Sequence, residues 1–234
     1  MKIIDGDSYK ELLNFPNNHF NGIVTDLPYF VLKNVDWDNQ WKNLDEYLSW
    51  LDLIFIEYNR ILKENSNLFI FTGRQYNRHI SLLLDKYFTE KRIIIWRRRM
   101  MNNTRGKALA SGYEPICFYS KGNGIYNNIK IKTNSDRIEY TTGNLKDGIS
   151  LSDVWDDIPR LAHNSKERLK HPSQKPIKLM ERIITIGTKE NDLILDNFAG
   201  TGTTGIACKN LNRKCVLIDN NKDYIQTINN RFKK

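Results

Sequence analysis

Short apolar runs alternate along the chain with longer stretches in which apolar residues return every three or four positions, and each change of rhythm predicts a change of element. Gly22-Ile23-Val24-Thr25 reads as a short buried strand that ends at Asp26, because Pro28 lacks the N–H needed to continue a central ladder. From Asp45 to Lys63 the positions Leu48, Leu51, Phe55, Tyr58 and Leu62 fall on one helical face, followed by the strand Asn67–Thr72 and a stop at Gly73. A helix over Asn77–Asp85 and strands over Arg92–Trp96 and Tyr113–Tyr119 continue the series. Helix and strand alternating at this spacing predict an α/β fold built on a wound parallel sheet.

Residues 121–170 break the rhythm. Gly122, Gly124, Gly143 and Gly148 alternate with Asn and Lys, and Ile129-Lys130-Ile131 is the one strand-like run. Tyr126, Tyr140, Val154 and Trp155 supply apolar anchors, so the segment is expected to be an ordered, irregular insert facing the substrate rather than a linker. Order resumes with a helix from Pro176 to about Thr188, the strand Asp192–Leu195, a glycine turn, a helix over Thr203–Leu211, the strand Cys215–Ile218 and a last helix over Lys222–Arg231.

The 234 residues are enough for one substantial domain, and an apolar share of 40% supports a packed core. Thirty-six Lys and Arg against 27 Asp and Glu leave a net charge of +9, which favours a polyanionic partner. Cys117, Cys208 and Cys215 form neither a C-x-x-C pair nor an even-numbered disulfide framework. No His, Cys, Asp and Glu cluster has metal-ligand spacing, so no metal is expected. The acidic turn at Asp5-Gly6-Asp7 stands where a signal peptide would be apolar, and the expected protein is soluble and cytoplasmic.

Gly200-Thr201-Gly202-Thr203-Thr204-Gly205 follows a strand, opens a helix and is trailed by Asp219 at the end of the next strand. Taken alone the pattern fits NAD as well as S-adenosylmethionine. Only about thirty residues follow Gly205, too few for the rest of a dinucleotide fold unless an earlier segment supplies it. Asp196, just before the glycines, would repel a pyrophosphate but can reach a cationic amino acid end, which favours S-adenosylmethionine.

Asp26-Leu27-Pro28-Tyr29 suits the activation of an exocyclic amine. Such an amine is a poor nucleophile because its lone pair is delocalised into the ring, and acceptors for its hydrogens localise that pair. Asp26 offers a carboxylate, Leu27 a carbonyl, Pro28 a fixed turn and Tyr29 a ring on which a base can stack. A duplex hides the amine, so the base must be flipped out. Seven basic residues lie between positions 91 and 107 with no acidic residue among them, and Arg97, Arg98, Arg99, Arg105 and Lys107 are the candidates for phosphate contact. Lys166, Arg168 and Lys170, between His163 and His171, form a second basic surface.

These two motifs, joined by His171-Pro172-Ser173-Gln174-Lys175-Pro176, resemble the amino-methylating DNA methyltransferases, whose catalytic motif is Asp/Asn/Ser-Pro-Pro-Tyr. The catalytic motif precedes the cofactor motif, which resembles the permuted β subgroup. The resemblance implies a circularly permuted, Rossmann-like fold dependent on S-adenosylmethionine, with about 121–170 as the target-recognition region. It implies that Lys175 helps hold the cofactor carboxylate beside His171, Ser173 and Gln174. It places Asp7 near the cofactor adenine, and it gives Asp196, Phe198, Ala199, Gly200, Thr201, Gly202 and Asp219 cofactor roles. Leu27 departs from the usual Pro but keeps the carbonyl. Asp at the first position is commoner among adenine N6 enzymes, so the expected product is N6-methyladenine in duplex DNA. The alternatives are cytosine N4 in DNA, adenine in RNA, a non-catalytic nucleic-acid-binding protein, or an NAD-dependent oxidoreductase. Methylation at cytosine C5 needs a cysteine nucleophile, and Cys117 follows Ile116 in a strand without the expected Pro-Cys. A homodimer and a cognate restriction endonuclease are the partners the resemblance suggests.

Overall fold

The computed structural model describes residues 1–30, 40–98, 111–131 and 149–233. Along these residues the elements run β1 (Lys2–Asp5), α1 (Ser8–Leu13), β2 (Phe20–Asp26), α2 (Leu44–Ile61), β3 (Leu62–Phe71), α3 (Asn77–Leu84), β4 (Thr89–Arg97) and β5 (Tyr113–Lys121). They continue as β6 (Lys130–Ile131), β7 (Ile149–Ser150), β8 (Val154–Trp155), α4 (Ile177–Gly187), β9 (Leu193–Asp196), α5 (Thr203–Asn210), β10 (Lys214–Asp219) and α6 (Lys222–Phe232).

The main sheet is ordered β1-β10-β9-β2-β3-β5-β4-β8. Its first five strands are parallel, as the helix and strand rhythm predicts. The parallel expectation fails at β5, which lies antiparallel between β3 and β4. Strands β4 and β5 are neighbours both in sequence and in the sheet, an arrangement that pairs antiparallel unless a crossover intervenes. Two reversals leave β4 running in the direction of β3, so the carboxyl ends of β2, β4 and β9 share one rim with the amino end of β5. β9, late in the sequence, pairs with β2 through Gly22↔Ile194 and Ile23↔Leu195. The chain winds outward from this pair in both directions, which makes the β2/β9 boundary a topological switch point, where open α/β sheets open a crevice for ligands.

Successive residues of the central strands point into two separate cores. Ile23, Leu68, Ile70, Leu195, Val216 and Ile218 pack with α1, α2 and α3, whereas Val24, Phe69, Phe71, Ile194 and Leu217 pack with α4, α5 and α6. A sheet covered on both faces requires such continuously apolar strands. The buried face of α2 is Tyr47, Leu51, Ile54, Phe55, Tyr58 and Ile61, so three of the five predicted positions lie on it within the helix. Leu48 is half-buried, and Leu62 already belongs to β3.

Strand β1 and helix α1 are absent from the pattern-based reading, since β1 holds only Ile3 and Ile4 between charged ends. In the 121–170 region, Ile131 and Lys130 pair with β7 in a two-stranded sheet, and β8 joins the main sheet beside β4. Of its proposed anchors Trp155 is buried, its indole N–H donating to Ser152 O at 2.6 Å. Tyr126 and Val154 are exposed, a correction to the sequence reading, and Tyr140 lies outside the described residues.

Candidate active site

The Asp26-Leu27-Pro28-Tyr29 turn follows directly from the end of β2. Its last ladder bond is Leu27 N–H to Phe71 O at 3.3 Å, after which Pro28 ends the pairing. Tyr47 of α2 donates its hydroxyl to Pro28 O at 2.9 Å and pins the turn. The Leu27 side chain is buried in the core, so the residue contributes packing on one side and backbone to the cavity on the other.

Asp26, Tyr29, Glu114 and Lys175 form one buried network. Lys175 Nζ lies 2.6 Å from Asp26 Oδ2 and 2.9 Å from Glu114 Oε1. The Tyr29 hydroxyl is 2.6 Å from Asp26 Oδ1 and 2.7 Å from Glu114 Oε1. Burial lifts the Asp26 carboxyl above its ordinary range, with Lys175 opposing the shift and Glu114 adding to it. Burial would raise Glu114 too, but Lys175, Tyr29 and Arg98 together hold it below its usual range. Burial alone would lower Lys175, yet the two carboxylates keep its ammonium above the usual range. The Tyr29 phenol, raised far by burial and by both carboxylates, stays protonated.

Two cavities meet at this turn. The first is bordered by Asp7, Asp26, Leu27, Pro28, Tyr29, Trp50, His171, Ser173, Phe198, Gly200, Asp219 and Tyr224, among others. Asp7 also caps α1 by accepting from Lys10 N at 3.0 Å. Gly200, at φ +52°, lies so close to the His171 ring that a Cβ there would sit 3.0 Å from Nε2, and the turn therefore presents bare backbone. The Asp219 carboxylate accepts from Gly200 N at 2.7 Å and Asn221 N at 2.9 Å, fixing the acid at the mouth of the glycine turn. Trp50 and Phe198, 5.8 Å apart, give the same cavity an aromatic side. A carboxylate, bare backbone and aromatic faces suit an adenosine with an amino acid tail.

Asp196 is placed differently from the sequence expectation. It is buried at 4 % exposure, behind the cavity wall. Its Oδ1 accepts from Thr25 Oγ1 at 2.9 Å and Phe198 N at 3.2 Å, and its Oδ2 accepts a short bond from the Thr204 hydroxyl. Burial pushes its carboxyl up to about 6. Ala199, Thr201 and Gly202 shape the turn itself, Gly202 capping α5 at φ +76°. Lys175 and Gln174 border the second cavity, and Gln174 spans the segment by accepting from Leu169 N at 2.8 Å and donating to Glu167 O at 2.9 Å.

The second cavity lies across Tyr29 from the first and is bordered by Arg74, Trp96, Arg98, Tyr113, Glu114, Arg160, His163, Arg168 and Lys175. Arg98 Nε is a buried donor with no partner among the described residues, although the same guanidinium donates to Ser111 Oγ at 3.1 Å. Arg97 is exposed at the end of β4, and Arg99, Arg105 and Lys107 lie outside the described residues. Cys117 is buried in β5, where burial raises its thiol to about 11, so it offers no thiolate nucleophile.

Trp50, Tyr224, Arg74, Arg160 and Glu114 line the two cavities and were missed by motif reading. The first four lie outside every motif. Glu114 stands at the start of a strand rather than its end, and only the antiparallel placement of β5 carries it to the rim.

The chain matches the family profile N6_N4_Mtase, DNA methylase, over residues 20–230. It is 32% identical over 244 residues to the type II methyltransferase M.HpaI of Haemophilus parainfluenzae, covering 99% of this chain and 74% of that protein. It is 33% identical over 236 residues to the DNA adenine methyltransferase YhdJ of Escherichia coli strain K12, covering 96% of this chain and 80% of that protein. The crystal structure of the M1.HpyAVI–SAM complex superposes with a TM-score of 0.73 at 25% identity, over 100% of this chain and 99% of that one. With the permuted sheet, the Asp-Leu-Pro-Tyr turn and the glycine turn already in place, the chain belongs to the N6/N4 amino DNA methylase family.

Proposed function

We propose that this enzyme transfers a methyl group from S-adenosylmethionine to the N6 amine of a flipped-out adenine at a specific sequence in duplex DNA. The observation that carries the proposal is the position of the Asp-Leu-Pro-Tyr turn. It forms the partition between a carboxylate and aromatic cavity suited to the cofactor and an arginine-bordered cavity suited to a nucleotide. The choice of adenine over cytosine N4 is supported by Asp26 at the first motif position and by the similarity to YhdJ, named a DNA adenine methyltransferase.

Asp219, Asp7, Trp50, Phe198 and the backbone at Gly200 would hold the cofactor. Asp196 braces the wall by fixing Thr25, Phe198 and Thr204. When bound, S-adenosylmethionine supplies a methyl electrophile on a sulfonium sulfur. Asp26 and the Leu27 carbonyl take the two amine hydrogens and turn the nitrogen lone pair towards that methyl. The nitrogen would take the methyl as the carbon–sulfur bond released it, leaving the thioether, and the proton shed by the cationic nitrogen would pass to Asp26. A carboxylate whose burial has raised its basicity is suited to accept it. Tyr29 offers its ring to the extrahelical base, offsetting part of the unstacking cost. Arg74, Arg98, Arg160 and Arg168, with Arg97 outside, serve the phosphates. The resemblance further supports a cytoplasmic homodimer working alongside a cognate restriction endonuclease.

The test is to incubate the protein with S-adenosylmethionine and unmethylated genomic DNA, digest to nucleosides and quantify the methylated products by mass spectrometry. N6-methyldeoxyadenosine that disappears in Asp26→Ala supports the reading. N4-methyldeoxycytidine would move the assignment to cytosine, and product on RNA alone would overturn it.

A further inference from the structure

The catalytic carboxylate is already occupied. Lys175 Nζ holds Asp26 Oδ2 at 2.6 Å, and the Tyr29 hydroxyl holds Oδ1 at 2.6 Å. Each Asp26 oxygen thus already carries a donor, and one hydrogen of the incoming amine competes for the same carboxylate, which weakens its hold on both occupants. Lys175 is nearly enclosed, with 6 % of its side chain exposed, and a buried ammonium left without an anion is strongly unfavourable. The same holds, less severely, for a buried hydroxyl.

Both occupants have the same second partner. Glu114 Oε1 lies 2.9 Å from Lys175 Nζ and 2.7 Å from the Tyr29 hydroxyl. We propose that Glu114 is a positioning residue that receives Lys175 and the Tyr29 hydroxyl when the target amine takes Asp26, so that the clamp opens without stranding a buried donor. The proposal rests on the methyl-transfer reading above. No proton changes owner in the exchange. Tyr29 turns its one hydrogen from Asp26 to Glu114 by rotation about its C–O bond, and Lys175 keeps its three.

The surroundings suit this division of labour. Glu114 sits opposite Trp96 in the β4/β5 ladder and borders the second cavity, from which the base would arrive. The charged groups around Asp26 are Lys175 before α4, Glu114 on β5 and Asp196 on β9, with Tyr29 in the same turn, while Arg98 at the end of β4 acts on Glu114. Glu114, held below its usual range, stays ionised as the standing counter-ion, whereas Asp26, lifted above its own usual range, is the one released to the amine.

Glu114→Gln separates exchange from packing, because glutamine keeps the shape and still accepts from Tyr29 but cannot neutralise Lys175. The expected result is a kcat lower on the order of 10²-fold, with S-adenosylmethionine affinity unchanged as the check on folding. The acid limb of the kcat–pH profile should move to lower pH, since Glu114 no longer opposes ionisation of Asp26. Glu114→Asp, which restores the charge, should recover part of the rate. A ¹³C NMR titration of the Asp26 carboxyl in the free protein reads the same shift without turnover, its midpoint falling in Glu114→Gln. Wild-type kcat in Glu114→Gln, or an unmoved Asp26 midpoint, would overturn the exchange. A wild-type protein that methylates neither DNA base would instead sink the methyl-transfer reading, and the titration would still decide the role of Glu114.

Discussion

Asp26 and Asp196 end the neighbouring strands β2 and β9 at the switch point of the sheet, and burial raises both carboxyls above their usual range. Their partners differ in kind. Asp196 is held by two threonine hydroxyls and a backbone N–H, all neutral and all built into the fold. Asp26 is held by a lysine and a tyrosine, each of which has another carboxylate within reach. The two strand-end aspartates thus differ in whether their partners have another carboxylate to turn to. The two are linked through Thr25, which immediately precedes Asp26 and donates to Asp196, so Asp196 braces the end of β2 that carries Asp26.

The largest effect should come from making the same change at both positions. Asp26→Asn keeps one acceptor for the target amine but cannot take its proton, and kcat should drop on the order of 10³-fold with cofactor binding retained. Asp196→Asn can keep its oxygen towards Thr25 and Phe198 and donate its new N–H to the Thr204 hydroxyl, so turnover should change little. Methylation by both variants under saturating cofactor checks the contrast. Equal losses would mean that Asp196 takes part in the chemistry, and a selective loss of cofactor affinity in Asp196→Asn would return it to the cofactor role that the sequence suggests.

Lys175→Met gives the next largest effect. It leaves two buried carboxylates sharing one tyrosine hydroxyl, which should cost about 3–5 kcal/mol of stability near neutral pH, measured by urea unfolding. Asp26, already above its usual range, is pushed higher by losing the ammonium. Its folded value then lies further above that of the unfolded chain, so stability falls as pH rises from about 4 until the raised folded value is passed. The acid limb of kcat should move to higher pH, opposite to Glu114→Gln. Movement of both variants in the same direction would show that Lys175 and Glu114 do not act on Asp26 through charge.

These contrasts also mark what a sequence can disclose. The Asp26 turn, the glycine turn and Asp219 were legible because each joins distinctive residues to the end of an apolar strand. Asp196 was found by the same rule and given the wrong kind of partner to look for, because nothing in the string shows that Thr25, 171 positions away, reaches its carboxylate. Glu114 was invisible for a geometric reason. A search for acids at carboxyl ends of strands passes over an acid at an amino end, and only pairing with β3 and β4 shows that β5 is reversed. The core was legible where strands are apolar on both faces and less so on α2, where Tyr47, Ile54 and Ile61 complete a stripe of which Leu48 is only an edge.

The smallest effect tests Asp196 as a buried acid. Below about pH 4 its carboxyl is protonated in the folded and unfolded chain alike, and it contributes no pH dependence. Between there and about 6 the folded protein still holds the proton while the unfolded chain has lost it, so stability falls as pH rises through this window and levels off above it. The span of about two pH units corresponds to on the order of 3 kcal/mol at neutral pH. Other raised carboxyls, Asp26, Glu167 and Asp219, slope in the same direction, so the wild-type curve alone cannot be assigned to one group. The difference between wild type and Asp196→Asn isolates it. The variant should lose the part of the decline that lies between about pH 4 and 6 and unfold at equal or higher urea concentration at pH 7. Parallel curves for the two proteins would show that the three neutral donors around Asp196 cancel the cost of burying its charge.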